Sequence, residues 1–267
     1  RDNQDRFGAQ DQSSQDTAPA IAEQTQSSLN FTVPVEMVDL PSKGQFYSDE
    51  HPLHNISTVE IRHMTAKEED ILTNKSFIKN GIVLDRLLES VLVDKTINVN
   101  DLLSGDKSAI LVATRVTGYG EDYQAKIPCP SCGTIADFDF DLIEAQIFND
   151  PDECGLVQDG TITKTDKGTF LFTLPKTRVV IEVRPLTGND ERKILNTNKM
   201  RQKNKLPELQ LSDQIKSFIV SVNGQDDGLS INQFVETMPA LDSRYLRNTY
   251  KLVTPSVDLA QEWECQA

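Results

Sequence analysis

The segment Val59-Glu60-Ile61-Arg62-His63-Met64-Thr65 recurs as Ile181-Glu182-Val183-Arg184-Pro185-Leu186-Thr187 at a constant offset, and this repetition constrains the fold more than any other feature of the chain. In both copies apolar and polar residues alternate like a half-buried strand. A threonine then opens a helix with a carboxylate three residues on, Glu68 or Asp190, as in a capping box. The order downstream repeats as well. The apolar-periodic helix from Leu84 to Val93 has its counterpart in Asp213 to Val222, and Val99-Asn100-Asp101-Leu102 has its counterpart in Ile231-Asn232-Gln233-Phe234. A helix from Asp106 to Val116, opened by Asp106 and closed by Gly118, corresponds to Asp242 to Val253. Each match alone is within reach of chance, but their shared order is not, so the chain is expected to be α+β with two duplicated strand-plus-helices halves.

At 267 residues the chain can bury a core in each half. Residues 1–30 are rich in Gln, Asp and Ser, cannot bury enough apolar surface to offset chain entropy, and form an extended arm that is disordered unless bound. Residues 31–145 make the first repeat, 146–168 a linker marked by Asn149-Asp150-Pro151-Asp152 and Asp159-Gly160, and 169–267 the second. The first repeat begins with a strand over Phe31 to Val35 and a turn through Leu40-Pro41-Ser42-Lys43-Gly44. A formal charge of -14 repels phosphate backbones and anionic headgroups. No run approaches the roughly 20 apolar residues of a membrane span, and no signal-peptide core is visible, so a soluble intracellular protein without membrane insertion is expected. Because Arg1 is not methionine, the sequence reads as a processed or truncated product.

Four cysteines in such a chain point to metal binding or free thiols rather than disulfides. In Cys129-Pro130-Ser131-Cys132-Gly133 the two-residue spacing turns both thiolates to one side of a turn, here between the strand Tyr123 to Ile127 and the alternating Phe138 and Phe140. This zinc knuckle supplies two ligands of the four that structural Zn2+ takes. The repeat supplies a third, since Glu262-Trp263-Glu264-Cys265 falls where Lys126-Ile127-Pro128-Cys129 fell, and it predicts that the natural chain continues with a cysteine one residue beyond Ala267. Cys154 is the alternative fourth ligand, though it lacks a second two-residue spacing. A thioredoxin-like role fits poorly, because that motif sits where a strand enters a helix. Four thiolates leave zinc no open position, so the metal would staple one half to the other without catalysis.

Other candidates fail on placement. His51, His54 and His63 are expected in a solvated stretch without ligand spacing. Glu68-Glu69-Asp70 compensates its own helix dipole. Gly118-Tyr119-Gly120 follows a helix, where a phosphate cradle must precede one, and reads as a helix end. Lys199 to Lys205 is the basic run, at an exposed helix end that cations suit.

Leu40-Pro41-Ser42-Lys43-Gly44 with Tyr47, then Met64 to Leu72, Gly105-Asp106-Lys107, Gly118-Tyr119-Gly120-Glu121 with Tyr123, and the knuckle Cys129 to Gly133 resemble, in that order, the baseplate hub and hub-assembly proteins of T-even-like contractile-tailed bacteriophages. The resemblance covers residues 31–145 well, the second half more loosely, and the arm not at all. It implies a structural or assembly protein of the tail baseplate, working through contacts with baseplate and tail proteins in several copies around the tail axis. It also implies a place in the virion tail after assembly in the host cytoplasm, and it carries no catalytic residues. A non-enzyme is expected, since no nucleophile, acid and base come together. A zinc-ribbon nucleic-acid-binding protein is the alternative, set back by Asp137, Asp139 and Asp141 beside the knuckle. A metal-dependent enzyme would need an open metal position.

Overall fold

A computed structural model describes residues 32–143, 146–148, 154–207, 209–260 and 265. The N-terminal arm, parts of the expected linker and most of the final segment lie outside them. The fold mixes helix and sheet, as expected.

The first part of the chain folds as a strand pair, β1 (Val35–Asp39) antiparallel to β2 (Thr58–Arg62), followed by α1 (Ala66–Thr73), α2 (Lys75–Asn80), α3 (Val83–Val91) and α4 (Ser104–Tyr119). The expected strand over Phe31 to Val35 therefore lies further along. Pro34 precedes it, and the residues that turn inward are Val38 and Leu40, which join a core with Ile61, Leu88, Leu92, Leu102 and Ile110. Next come the hairpin β3 (Asp122–Pro128) and β4 (Ile135–Asp141), the short β5 (Gln146–Phe148) and a single turn of helix, α5 (Gly155–Gln158). A four-stranded antiparallel sheet then forms from β6 (Ile162–Lys164), β7 (Phe170–Thr173), β8 (Val180–Val183) and β9 (Ile219–Val222). Packed with it are α6 (Gly188–Lys203), α7 (Gln210–Phe218), α8 (Gly228–Thr237) and α9 (Ala240–Val253), around a second core built on Phe170, Phe172, Ile181, Phe218 and Leu246. Finally β10 (Ser256–Asp258) pairs with β5.

The helix expected over Leu84 to Val93 runs from Val83 to Val91, and further boundaries differ from expectation for physical reasons. Asp106 does not open α4. The helix starts at Ser104, and the Asp106 carboxylate, wholly buried, accepts from the Ser42 N–H at 2.9 Å, the Ser42 hydroxyl at 2.6 Å and the Tyr47 hydroxyl at 2.7 Å. Gly118 does not close it, because a Cβ there would meet the Met64 side chain, so this glycine serves helix packing. The chain leaves the helix at Gly120, whose φ of 85° suits glycine. The helix expected from Asp213 to Val222 ends at Phe218, where Ile219-Val220-Ser221-Val222, with three β-branched residues, joins β8 as a strand.

Corresponding contacts recur in the two parts. Val38 faces Val59 across β1 and β2, and Phe172 faces Ile181 across β7 and β8. Arg62 reaches Glu68 at 3.1 Å and the Ser90 carbonyl at 2.8 Å, while Arg184 grips Asp190 with both nitrogens, at 2.8 and 2.9 Å, and reaches the Ser217 carbonyl. Thr65 with Glu68 and Thr187 with Asp190 both form capping boxes. Leu40-Pro41 leads into the amide that Asp106 accepts, and Leu174-Pro175 leads into the Lys176 and Thr177 amides, which donate to the buried Asp242 at 2.8 and 2.9 Å.

Burial opposes ionisation of Glu68, but hydrogen bonds from Ser90 and Thr65 and the charge of Arg62 outweigh it and hold the carboxyl at about 2. A carboxyl depressed from 4.5 stabilises fully above about pH 5 and loses that contribution as pH falls toward 2. Glu68→Gln should therefore lower Tm at pH 7 and narrow its gap to the parent as the buffer is taken from pH 5 to pH 2; an equal gap at both ends of the scan would contradict this. Asp106→Ala and Asp242→Ala strand buried backbone donors, and each should cost about 3 kcal/mol in chemical denaturation. Losses under about 1 kcal/mol would show that water replaces the carboxylates at little cost.

Candidate metal centre

The β3–β4 hairpin pairs in continuous register from Asp122 opposite Asp141 to Pro128 opposite Ile135, so its bend falls on Cys129 to Thr134. The Cys129 amide donates to the Thr134 carbonyl at 2.9 Å, and the Gly133 amide turns back to the Cys129 carbonyl at 2.8 Å. Gly133 holds φ at 74°, the left-handed conformation that closes this turn. Inside the turn the Ser131 amide points at Cys129 Sγ, 3.4 Å away, placing a donor where thiolate charge would sit. This is the arrangement expected of a two-residue cysteine spacing.

The third sulfur arrives from the far end of the chain. β5, just after the hairpin, pairs with β10, just after α9, with Val257 opposite Ile147. Cys265 Sγ lies 3.7 Å from Cys132 Sγ, and the sulfurs of Cys129, Cys132 and Cys265 all fall within 4.8 Å of one another. Two thiolates bound at about 2.3 Å to one tetrahedral ion are about 3.8 Å apart, so the spacing suits a shared metal. Cys129 is buried and Cys132 exposed. The Thr134 hydroxyl and amide, with the two neighbouring thiols, bring the Cys132 thiol down to about 7, which favours the thiolate a metal requires. Thr134 was not singled out in the sequence, although its place two residues after Cys132 is the signal for it.

The structure thus brings together Cys129, Cys132 and Cys265. Cys154, the alternative fourth ligand, is the N-cap residue of α5 and stands outside the group. The three histidines are half-buried, and His51 and His54 are anchored within the turn that carries them. His51 stacks on Tyr47 with ring centroids 4.2 Å apart and accepts the Leu53 amide at Nδ1. His54 Nδ1 lies 2.8 Å from the Tyr47 carbonyl. Along the basic run, Lys199 donates to the Asn80 carbonyl at 2.7 Å and Arg201 pairs with Asp213. Along the hairpin Lys126 pairs with Asp137 near the bend, at 3.7 Å, with Asp139 further back and Asp122 facing Asp141 at the far end, so aspartates outnumber cations on it.

Titration with Co2+ under reducing conditions is expected to develop thiolate charge-transfer absorbance at one ion per chain. Cys129→Ser, Cys132→Ser and Cys265→Ser should each weaken it, and Cys154→Ser should leave it intact. Loss of the signal in Cys154→Ser would assign the site to a different ligand set.

Residues 32–163 match the family model described as T4 bacteriophage base plate protein. No curated protein and no solved structure matches the chain. The family match covers β1 through the knuckle hairpin to β6. It indicates a structural protein of the phage baseplate, placed in the virion tail among other tail proteins. No described helix is long and apolar enough to cross a membrane.

Proposed function

We propose that the chain is a non-enzymatic structural or assembly protein of the baseplate hub of T-even-like phages, and that it carries a structural zinc ion at its cysteine group. The observation that carries this reading is the family match over residues 32–163, which includes the whole knuckle hairpin. Cys129, Cys132 and Cys265 would hold the ion, and a fourth donor would complete the tetrahedron. A closed thiolate site supplies cross-linking rather than Lewis-acid chemistry: it ties the bend of the hairpin to the segment that follows the last helix. The two parts of the chain are copies of one unit. Supporting this are the common strand register, the paired capping boxes and the Leu-Pro turns docked on Asp106 and Asp242. The residue spacing that carries Asp106 onto Asp242 also carries Cys129 onto Cys265, so the metal would join equivalent ends of the two copies.

The nucleic-acid reading is disfavoured by the aspartates that flank the knuckle, because phosphate binding needs a basic face there. Purified virions and tail assembly intermediates, analysed by mass spectrometry and for zinc, are expected to contain the chain with bound metal. Absence from the finished particle but presence in hub intermediates would place it among the assembly factors. Absence from both would defeat the proposal.

A further inference from the structure

Among the described residues β1 pairs with β2 on one side only. Its hydrogen bonds show which groups are left over. The Leu40 amide donates to the Ser57 carbonyl at 2.8 Å and the Pro34 carbonyl accepts the His63 amide at 2.9 Å, so even-numbered residues turn toward β2. Val35, Met37 and Asp39 therefore turn their amides and carbonyls to the outer edge. Edge strands are ordinarily blunted by charge or proline, and β1 has Pro34 before it and carries Glu36 and Asp39, yet it still leaves Val33, Val35 and Met37 37, 53 and 59% exposed.

The second part of the chain shows what such an edge accepts. β7 occupies the place of β1, with Leu171 facing Glu182 as Met37 faces Glu60. The outer edge of β7 is filled by β6, antiparallel, with Thr163 opposite Leu171 and Ile162 opposite Phe172. Ile162 is 1% exposed and packs in the core beneath β7. Val38 stands where Phe172 does, and it lines a cavity of about 190 Å³ floored by Ala109, Val112, Ala113 and Val116 of α4. Leu142 and Val257 form the far wall, and no residue of β2 contributes, so the cavity lies on the open side of β1. The ionisable side chains lining it are Glu36, whose carboxylate lies 3.7 Å from His63 Nε2, and Asp39, both acidic.

We propose that the outer edge of β1 is a docking site for an extended, basic segment of a partner protein. The segment adds as an antiparallel strand, bonds to the main chain at Val35 and Met37, and sets one β-branched or aliphatic side chain into the cavity beneath Val38. The two carboxylates select a cation next to that apolar residue, as Lys164 follows Ile162 and Thr163 in β6. A second copy of this chain, at a formal charge of -14, is a poor occupant because it brings like charge to an acidic edge. The choice of occupant rests on the proposed likeness of the two parts, the open edge on the strand geometry itself, and neither depends on the zinc site or on the hub assignment.

The probe is a fluorescent synthetic peptide with the sequence of residues 160–165, Gly-Thr-Ile-Thr-Lys-Thr, titrated into the full chain. Saturable binding is expected, with amide exchange at Val35 and Met37 slowed about tenfold or more on saturation. Met37→Pro removes an outward N–H without touching the ladder to β2, and should weaken the peptide by about tenfold. Should that variant fold poorly, Asp39→Lys provides an independent reading: it should weaken the same peptide, and it should spare a peptide with glutamate in place of the lysine. The proposal is overturned by absence of saturable binding or by affinities indifferent to both variants. It is equally overturned if Val35 and Met37 are already protected in the free chain, since the edge would then be occupied by the chain itself.

Discussion

A carboxylate buried at the third residue of a helix is the interaction on which the rest of this structure depends. Glu68 in α1, Asp106 in α4, Asp190 in α6 and Asp242 in α9 all hold that position, and they are the buried carboxylates among the described residues. The position suits them, because the free amides and positive end of the helix dipole favour an anion there. An acid in that place would be unremarkable on a surface. Buried, it must be fully bonded, and each one recruits its donors from another segment. Glu68 and Asp190 fix the strand before their helix through Arg62 and Arg184. Asp106 and Asp242 fix a Leu-Pro turn from much earlier in the sequence. Strand, turn and helix start are thereby locked by directional bonds before the apolar contacts are counted.

The same economy governs how the two parts meet. The Ser104 amide donates to the Leu186 carbonyl, and the Gly188 and Asn189 amides return to Leu102 and Asn100, at 2.7 to 2.9 Å. Gly188 suits this approach, since a Cβ would sit tightly against the Val99 and Asn100 carbonyls, at 3.0 and 3.1 Å. Around that seam Asp85 takes both Lys107 and Arg192, so one carboxylate from the first part binds a cation from each. These contacts hold α4 and α6 in a fixed relation. α4 in turn packs against β10, and its Arg115 donates to the Asp122 carbonyl at the start of the hairpin at 3.2 Å, so that sulfurs from opposite ends of the chain come to share a few ångströms.

Much of this was legible in the sequence wherever a local pattern carried its own geometry. A threonine with a carboxylate three residues on specifies a capping box regardless of what packs against it, so α1 and α6 began where expected. A two-residue cysteine spacing between alternating strands specifies a bend, and the sequence match of Glu262-Trp263-Glu264-Cys265 to Lys126-Ile127-Pro128-Cys129 pointed to Cys265, which lies beside it. What could not be read was set by distant partners. Asp106 looks like any helix-opening aspartate until Ser42 and Tyr47 arrive to bury it. Gly118 looks like a helix stop, but its missing Cβ serves Met64. The strand Ile219 to Val222 has the apolar spacing of a continuing helix, and only β8 decides otherwise. Leu174-Pro175 escaped notice as a counterpart of Leu40-Pro41 because the residues that follow differ; the likeness lies in the backbone amides they present.

The seam between Asn100–Ser104 and Leu186–Asn189 has a consequence for how the polypeptide is made. Chains emerge from the ribosome beginning with the N-terminus, so the first core can close while the residues that satisfy its seam have yet to be translated. During that interval the Asn100 and Leu102 carbonyls and the Ser104 amide face solvent, as a short row of unpaired peptide groups beside apolar Leu103. A nascent first half is thus unfinished along one border, and its core also awaits Val257 from β10. Only the later half of the same molecule carries the backbone shaped to complete it, and arrest of translation midway would release a fragment with that border uncovered.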